Sequence, residues 1–447
     1  MNPMAPDDAA PLIAHRHPDE PIAWRGGRGV SAGEFLADVR ALAERLPRRR
    51  HLLNLCDDRY RFLVALGAAL ANGQITLLVP NRTQRLLDQV EEAYPDLACV
   101  AETAVPLVNG ASIAYPEPLA RRVVGWDVPR IPGAQTAAVV FTSGSTGRPV
   151  PHAKPWRALV AGARGAAETL GVPGGAAFLG TVPPQHMWGL EATVMLPLQT
   201  GGAVHACRPL FPADVAAWLA ELPWRRVLVT TPLHIRACVE DSVALPGLDL
   251  ILSAAAPLSE TLAAAAEARY AARLIEIYGS TEAGMIAARR TAHTDTWRAL
   301  PGVRVSAAPD GWAFEGGHIE GLAASNDVLE VVSEAEFRLA GRLADVVNVA
   351  GKRASLADLN RKLAEIPGVQ DGAFHTREAE SGKAARLMAF VVAPGLSEHA
   401  ILEALRCSID PVFLPRPLVK VPALPRAPTG KLPLAALREL EISAGER

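Results

Sequence analysis

The sequence predicts an α/β protein, with a large N-terminal body of parallel-rich sheets and flanking helices, a small antiparallel sheet, and a small α+β domain at the C-terminus. Three observations lead there. Short apolar runs ending in small or polar residues recur as far as residue 279, the pattern of strands buried on both faces. Helical segments separate several of them, which is the βαβ logic of a parallel sheet. From about residue 301 the runs turn short and alternating, as in GWAFEGG and DVLEVVSEAEFRLAG, which reads as a meandering antiparallel sheet.

Taken in order, HLLNLC (51–56) reads as a buried strand, RYRFLVALGAALANG (59–73) as a helix closing on a glycine, and QITLLVP (74–80) as the next strand. The same strand pattern returns in AAVVFTS (137–143), AAFLGTV (176–182), RRVLVTT (225–231), DLILSAA (249–255) and RLIEIYG (273–279). In an open α/β sheet the loops at the carboxyl ends of such strands carry the chemistry. The terminal unit begins near GRLADVVNVAGKR and continues with the helix SLADLNRKLAEI and the strand RLMAFVVAPG. The expected domains are therefore 1–340 and 341–447, the second of roughly 100 residues, enough for an α+β domain.

Composition narrows the function classes. The balance of 45 Lys+Arg against 47 Asp+Glu leaves a formal charge of −2, so no broad field draws nucleic acid or an acidic membrane. The five cysteines, Cys56, Cys99, Cys207, Cys238 and Cys407, lie scattered without a CxxC pair and are expected to be buried, reduced thiols. The opening MNPMAPDDAA lacks a basic segment followed by an apolar core, and no apolar run approaches the ~18 residues of a membrane span. The expectation is a cytoplasmic protein with no membrane span and no nucleic-acid partner.

Four segments carry candidate chemistry. Thr142-Ser143-Gly144-Ser145-Thr146-Gly147-Arg148-Pro149 follows a buried strand; its glycines let the backbone approach phosphate oxygens, and its hydroxyls and N–H groups donate to them. It is not a Walker A loop, because no Gly-Lys-Ser/Thr closes it, and by itself it is equally an ordinary turn. Tyr278-Gly279-Ser280-Thr281-Glu282 offers a flat ring, hydroxyls and one carboxylate for a base, phosphates and a divalent cation, or else a strand-to-turn corner with its ring in the core. Gly341-Arg342, with Asp327 fourteen residues before the glycine, supplies a guanidinium and a carboxylate for a phosphate and a ribose diol, or a plain surface pair. Lys431, in the loop Pro428-Thr429-Gly430-Lys431, is by position alone a solvated lysine.

Together, in this order and at these distances, the segments resemble the adenylate-forming superfamily of acyl- and aryl-CoA synthetases, peptide-synthetase adenylation domains and luciferases. TSGSTGRP resembles its phosphate loop, YGSTE its nucleotide and metal motif, the step from Asp327 to Gly341 its ribose-to-hinge interval, and PTGK the segment with its catalytic lysine. Ala254-Ala255-Ala256 resembles the loop beside adenine. His186-Met187-Trp188 resembles the acid-pocket segment, joined by Gly284 and Met285.

The resemblance implies an AMP-forming acid–thiol ligase that uses ATP and Mg²⁺, with Lys431 and Glu282 catalytic and Glu282 on the metal. It places Thr142, Ser143, Gly144, Ser145, Thr146 and Gly147 on the phosphates, Tyr278, Gly279, Ser280 and Thr281 with the Ala loop about the nucleotide, and Asp327 and Arg342 at the ribose edge. It also implies a mobile C-terminal domain turning about Ala344. The short chain and FTSGSTGRPVPH are most similar to the small ligases of aryl-polyene and xanthomonadin pigment pathways, which implies an aromatic carboxylic acid, 3- or 4-hydroxybenzoate, and an acyl-carrier protein, or CoA, as thiol acceptor. Relatives that read an ortho-hydroxyl carry Asn where this chain has Met187. A fatty-acyl or aryl-CoA synthetase is the alternative, and a non-catalytic ATP or adenylate sensor is the alternative of another class.

Two departures stand out. Many relatives carry a lysine where this chain has Val150, so the loop's positive charge must come from elsewhere, with Arg148 and Lys154 as candidates. Many also have an acidic residue or Lys at the hinge, where this chain has Ala344; backbone rotation itself needs no particular side chain.

Overall fold

The computed structural model describes residues 8–105, 107, 110–117, 119, 125–143, 149–241, 243–309, 311–325, 327–342, 346–349, 352–377, 386–427 and 432–445. The α/β architecture is as expected, but the body holds two large sheets. A six-stranded sheet runs Pro149–Pro155, Thr136–Ser143, Ile75–Leu78, His51–Asn54, Leu97–Ala101, Ala111–Ala114. An eleven-stranded sheet has a parallel centre of Arg273–Ser280, Leu250–Ser253, Arg226–Thr230, Ala177–Gly180, Ala203–His205 and Pro21–Arg25. Antiparallel strands flank that centre, including Gly284–Arg289 and the hairpin of Asp327–Ser333 with Glu336–Arg342. GWAFEG lies in a separate three-stranded antiparallel sheet, as its alternation predicts.

The helix Arg59–Ala71 shows how sequence, capping and packing act together. Asp58 caps it by accepting from the Arg61 N–H at 3.0 Å, which satisfies one of the orphan donors of the first turn. Nearly every following position is buried, so the helix is apolar all round, as a helix enclosed in a large core must be. Its first residue is a fully buried arginine. Arg59 donates to the carbonyls of Gly180, Val182, His205 and Cys207 and to the Thr193 hydroxyl, at 2.7–3.2 Å. One guanidinium, with its donors in a rigid fork, thus ties together the carboxyl ends of two parallel strands and the start of the segment that follows them. Burial pushes its pKa down to about 10, with Arg208 adding to the fall and Asp58 opposing it.

Toward the C-terminus, strands Asp371–Arg377, Arg386–Val392 and Leu418–Lys420 form a three-stranded sheet packed with helices Leu356–Ala364 and Glu398–Arg406 around a core that includes Leu359, Leu363, Phe374, Ile401 and Leu405. This is the α+β pattern read from the sequence. The cysteines depart from expectation in one respect. All five are free, but Cys207 and Cys407 are exposed, and only Cys56, Cys99 and Cys238 are buried. No helix among the described residues is long and apolar enough to cross a membrane.

Candidate functional site

Two β-hairpins build the site. Strands Thr136–Ser143 and Pro149–Pro155 pair antiparallel as a hairpin, with Ser143 opposite Pro149 and Thr142 opposite Val150. Strands Arg273–Ser280 and Gly284–Arg289 also pair antiparallel, with an irregularity between Tyr278 and Gly279, so YGSTE bends at a hairpin turn. The hairpins belong to different sheets, yet they meet. Thr142 Oγ1 lies 3.1 Å from His152 Nε2, His152 Nε2 lies 3.7 Å from Glu282 Oε1, and the buried Lys154 ammonium donates to the Glu282 backbone carbonyl. Alternation on one strand sends His152 and Lys154 to the same face, where both reach the second hairpin.

The electrostatics follow from this meeting. Burial works to raise the Glu282 carboxyl, but its own backbone N–H, the Ser280 hydroxyl, His152 and Lys154 outweigh that and hold it below the usual carboxylate range. It is an anion at neutral pH, with its side chain 53% exposed. Burial lowers the Lys154 ammonium, against the attraction of Glu191, Glu282 and Glu320. Among the described residues no cluster of three or more His, Cys, Asp or Glu is arranged for a metal. A lone exposed carboxylate suits Mg²⁺, which keeps several waters and takes its other ligands from substrate phosphates.

The end of the site around Tyr278 is built on aromatic packing. Tyr278 lies 5.5–5.7 Å, centroid to centroid, from Trp297, Phe314 and Phe337, and its hydroxyl donates to Asp327 Oδ2 at 2.6 Å. The ring thus packs into the core, as the corner reading has it, while its hydroxyl orients a carboxylate. Asp327 pairs in register with Arg342 across the hairpin, which explains the fourteen-residue interval as two strands and their turn. Opposite, Ala255 adopts φ +75°, a left-handed conformation that costs a non-glycine residue of order 1 kcal/mol or more and clusters at functional loops.

The acid-pocket segment closes the site. His186 and Trp188 are half-buried and Met187 is buried. The Trp188 indole donates to the Thr230 carbonyl at 3.1 Å, and the Ala254 N–H reaches the same oxygen at 3.4 Å. The pocket turn and the Ala loop therefore share one anchor at a strand's carboxyl end. Gly284 has φ +80°, and a Cβ there would stand 2.4 Å from Glu191 Oε1 and 3.2 Å from Met187 Cε. Glu191, one turn after Met187, begins a stretch of π-helix, a distortion frequent at functional sites. Its Oε1 accepts from the Met285 N–H at 3.0 Å.

Thr142, Glu282, Tyr278, Gly279, Ser280, Thr281, Asp327, Ala254, Ala255, Ala256, His186, Met187, Trp188, Gly284 and Met285 thus lie on loops and strand ends that converge. Gly144, Ser145, Thr146, Gly147, Arg148, Ala344 and Lys431, with the side chains of Ser143 and Arg342, lie outside the described residues. Sequence reasoning missed Glu191 and His152. A Glu inside the apolar run LEATVM was the signal available for the first.

The sequence pattern of the AMP-binding enzyme family matches residues 12–308. The chain belongs to this family. It is an AMP-forming acid–thiol ligase, which uses ATP with Mg²⁺ to adenylate a carboxylic acid and passes the acyl group to a thiol. The 4-coumarate–CoA ligase of Rhodobacter capsulatus is 31% identical over 283 residues, covering 62% of this chain and 69% of that protein. The 4-coumarate–CoA ligase of Halorhodospira halophila is 32% identical over 310 residues, covering 66% and 75%. Among solved structures, ATP-bound MatB from Rhodopseudomonas palustris superposes with a TM-score of 0.80 at 18% identity over 95% of this chain and 96% of that one, a likeness of fold across nearly the whole ligase.

Proposed function

We propose that this ligase activates a hydroxybenzoate, the 3- or 4-isomer, and delivers it to the phosphopantetheine thiol of an acyl-carrier protein in the assembly of an aryl pigment. The observation that carries the acid is the anchor that His186-Met187-Trp188 and Ala254-Ala255-Ala256 share at the Thr230 carbonyl, which sets the two segments as the walls of a slot. Such a slot, flanked by an indole and small side chains, suits a flat ring. With Met187 in place of a polar amide, an ortho-hydroxyl finds no partner there, so salicylate is a poor substrate. The 4-coumarate named for two relatives is itself an aromatic hydroxy acid. The same names favour a second reading of the acceptor, free CoA.

In the reaction, the acid's carboxylate attacks the α-phosphorus of ATP in line and pyrophosphate leaves. Little covalent chemistry falls to the protein, which positions the reactants and neutralises charge. Glu282 would hold Mg²⁺, which when bound neutralises the phosphate oxygens. Lys154, held on the Glu282 carbonyl, would fix that turn in place of the lysine missing at Val150. His152, between Thr142 and Glu282, would link the phosphate loop to the metal carboxylate. Asp327, oriented by Tyr278, would accept from the ribose hydroxyls, and Lys431 would bridge the carboxylate and the α-phosphate. The domains 1–340 and 341–447 would then turn about Ala344 to admit the thiol, in the manner of a lid.

The test is carboxylate-dependent pyrophosphate release over aryl and alkyl acids, followed by transfer to CoA and to holo carrier protein. Preference for 3- or 4-hydroxybenzoate and for the carrier protein is the expected result. Preference for medium-chain fatty acids refutes the acid, and efficient transfer to CoA but not to carrier protein refutes the acceptor.

A further inference from the structure

Glu191 is an acid that the reaction scheme does not use. It is 93% buried, since only 7% of its surface remains exposed, and it enters the pocket wall at the first residue of a π-helical stretch. Its Oε1 is held by the Met285 N–H, and no other hydrogen bond to its carboxyl is made among the described residues. Gly284 lets the carboxyl lie directly against the backbone of the closing strand, beside Met187, because a Cβ there would stand 2.4 Å from Oε1 and 3.2 Å from Met187 Cε. A buried carboxyl with spare acceptor capacity is costly unless something completes it. The buried Lys154 attracts it without a direct ion pair, while donating to the Glu282 carbonyl.

We propose that Glu191 is the specificity-determining residue of the acid pocket, accepting a hydrogen bond from a ring hydroxyl of the aromatic acid. The inference rests on the aromatic-acid reading above. The Lys154 ammonium nearby counterbalances the carboxylate, so the pair as a whole favours a neutral donor such as a phenol over a cationic amine. The Met285 N–H fixes Oε1, which leaves the remaining lone pairs of the carboxyl for the substrate.

The experiment measures kcat and KM for pyrophosphate release with benzoate, 3-hydroxybenzoate and 4-hydroxybenzoate, in the wild type, Glu191→Leu and Glu191→Gln. The expected result is a wild-type preference for one hydroxybenzoate over benzoate that collapses by about 10- to 100-fold in Glu191→Leu, the range for losing a hydrogen bond to a charged group. The collapse should sit mainly in KM for the hydroxylated acid, with KM for ATP unmoved. Glu191→Gln keeps the volume and an acceptor oxygen and should retain part of the preference, which provides the reading if the leucine variant does not fold. A wild type that activates no aromatic acid overturns the reading of the substrate class on which this rests. A wild type that activates benzoate and both hydroxybenzoates equally, or variants that keep the full preference, overturns the role of Glu191 alone.

Discussion

Replacing Gly279 with alanine probes how tightly the site depends on backbone contact between its two closing strands. A Cβ at Gly279 would stand 2.3 Å from the Gly284 carbonyl oxygen and 3.1 Å from both the Gly284 carbonyl carbon and Met285 Cα. All of these are backbone atoms of the facing strand, so no side chain can swing away. Ordinary carbon contacts settle at about 3.5–4.0 Å, so the strand must recede by roughly 1 Å. Overpacking of this kind costs about 1–3 kcal/mol. The turn that moves carries Ser280 and Glu282, and a displacement of about 1 Å in positioning groups can lower the rate on the order of 100-fold. Gly279→Ala should therefore show a lowered urea midpoint and a strongly reduced rate of acid-dependent pyrophosphate release, together with a raised Mg²⁺ requirement. Gly174→Ala is the control, because a Cβ there meets nothing within 4 Å. A Gly279→Ala enzyme with the wild-type rate, Mg²⁺ dependence and midpoint would refute the reasoning.

Lys431→Ala should lose on the order of 100-fold or more in adenylate formation, as for removal of one electrostatic stabiliser, while thioester formation from a supplied acyl-adenylate survives better; equal loss in both half-reactions would defeat that division of labour. A pH effect follows from Glu191, whose carboxyl burial pushes up to about 7 from an ordinary 4.5, with Met285 and Lys154 opposing the rise. Between those values the folded chain keeps a proton that the unfolded chain releases, so this contribution to stability is fully present below the lower value and is lost as pH rises through the upper one. The span corresponds to about 3 kcal/mol. Urea midpoints of the wild type should fall from about pH 5 to about pH 8 more steeply than those of Glu191→Gln, and parallel profiles would contradict the assignment.

Much of the fold was legible because buried strands announce themselves. AAVVFTS, RRVLVTT, DLILSAA and RLIEIYG are strands at nearly the expected residues, since a strand covered on both faces must be apolar throughout. The motif loops were legible only as a set, since each alone reads as an ordinary turn or corner and it is their order and spacing that carry the resemblance. The division into two sheets was not legible. The run at 137–143 and the run at 176–182 look alike, yet one joins the six-stranded sheet and the other the eleven-stranded one, and nothing in their composition selects the partner.

The sequence by itself determined the strands, the order of the motif loops and the residue types on offer for binding nucleotide, because each depends on local pattern. Only the tertiary structure decided which charges meet. Lys154 reaches the carbonyl of Glu282 across 128 residues, and Glu191 reaches the N–H of Met285 across 94. A lysine within a Pro-rich strand and a glutamate inside an apolar helical run are ordinary residues until the chain closes around them. Burial then removes the water that would screen them, and their charge is set by the few groups that packing brings within reach.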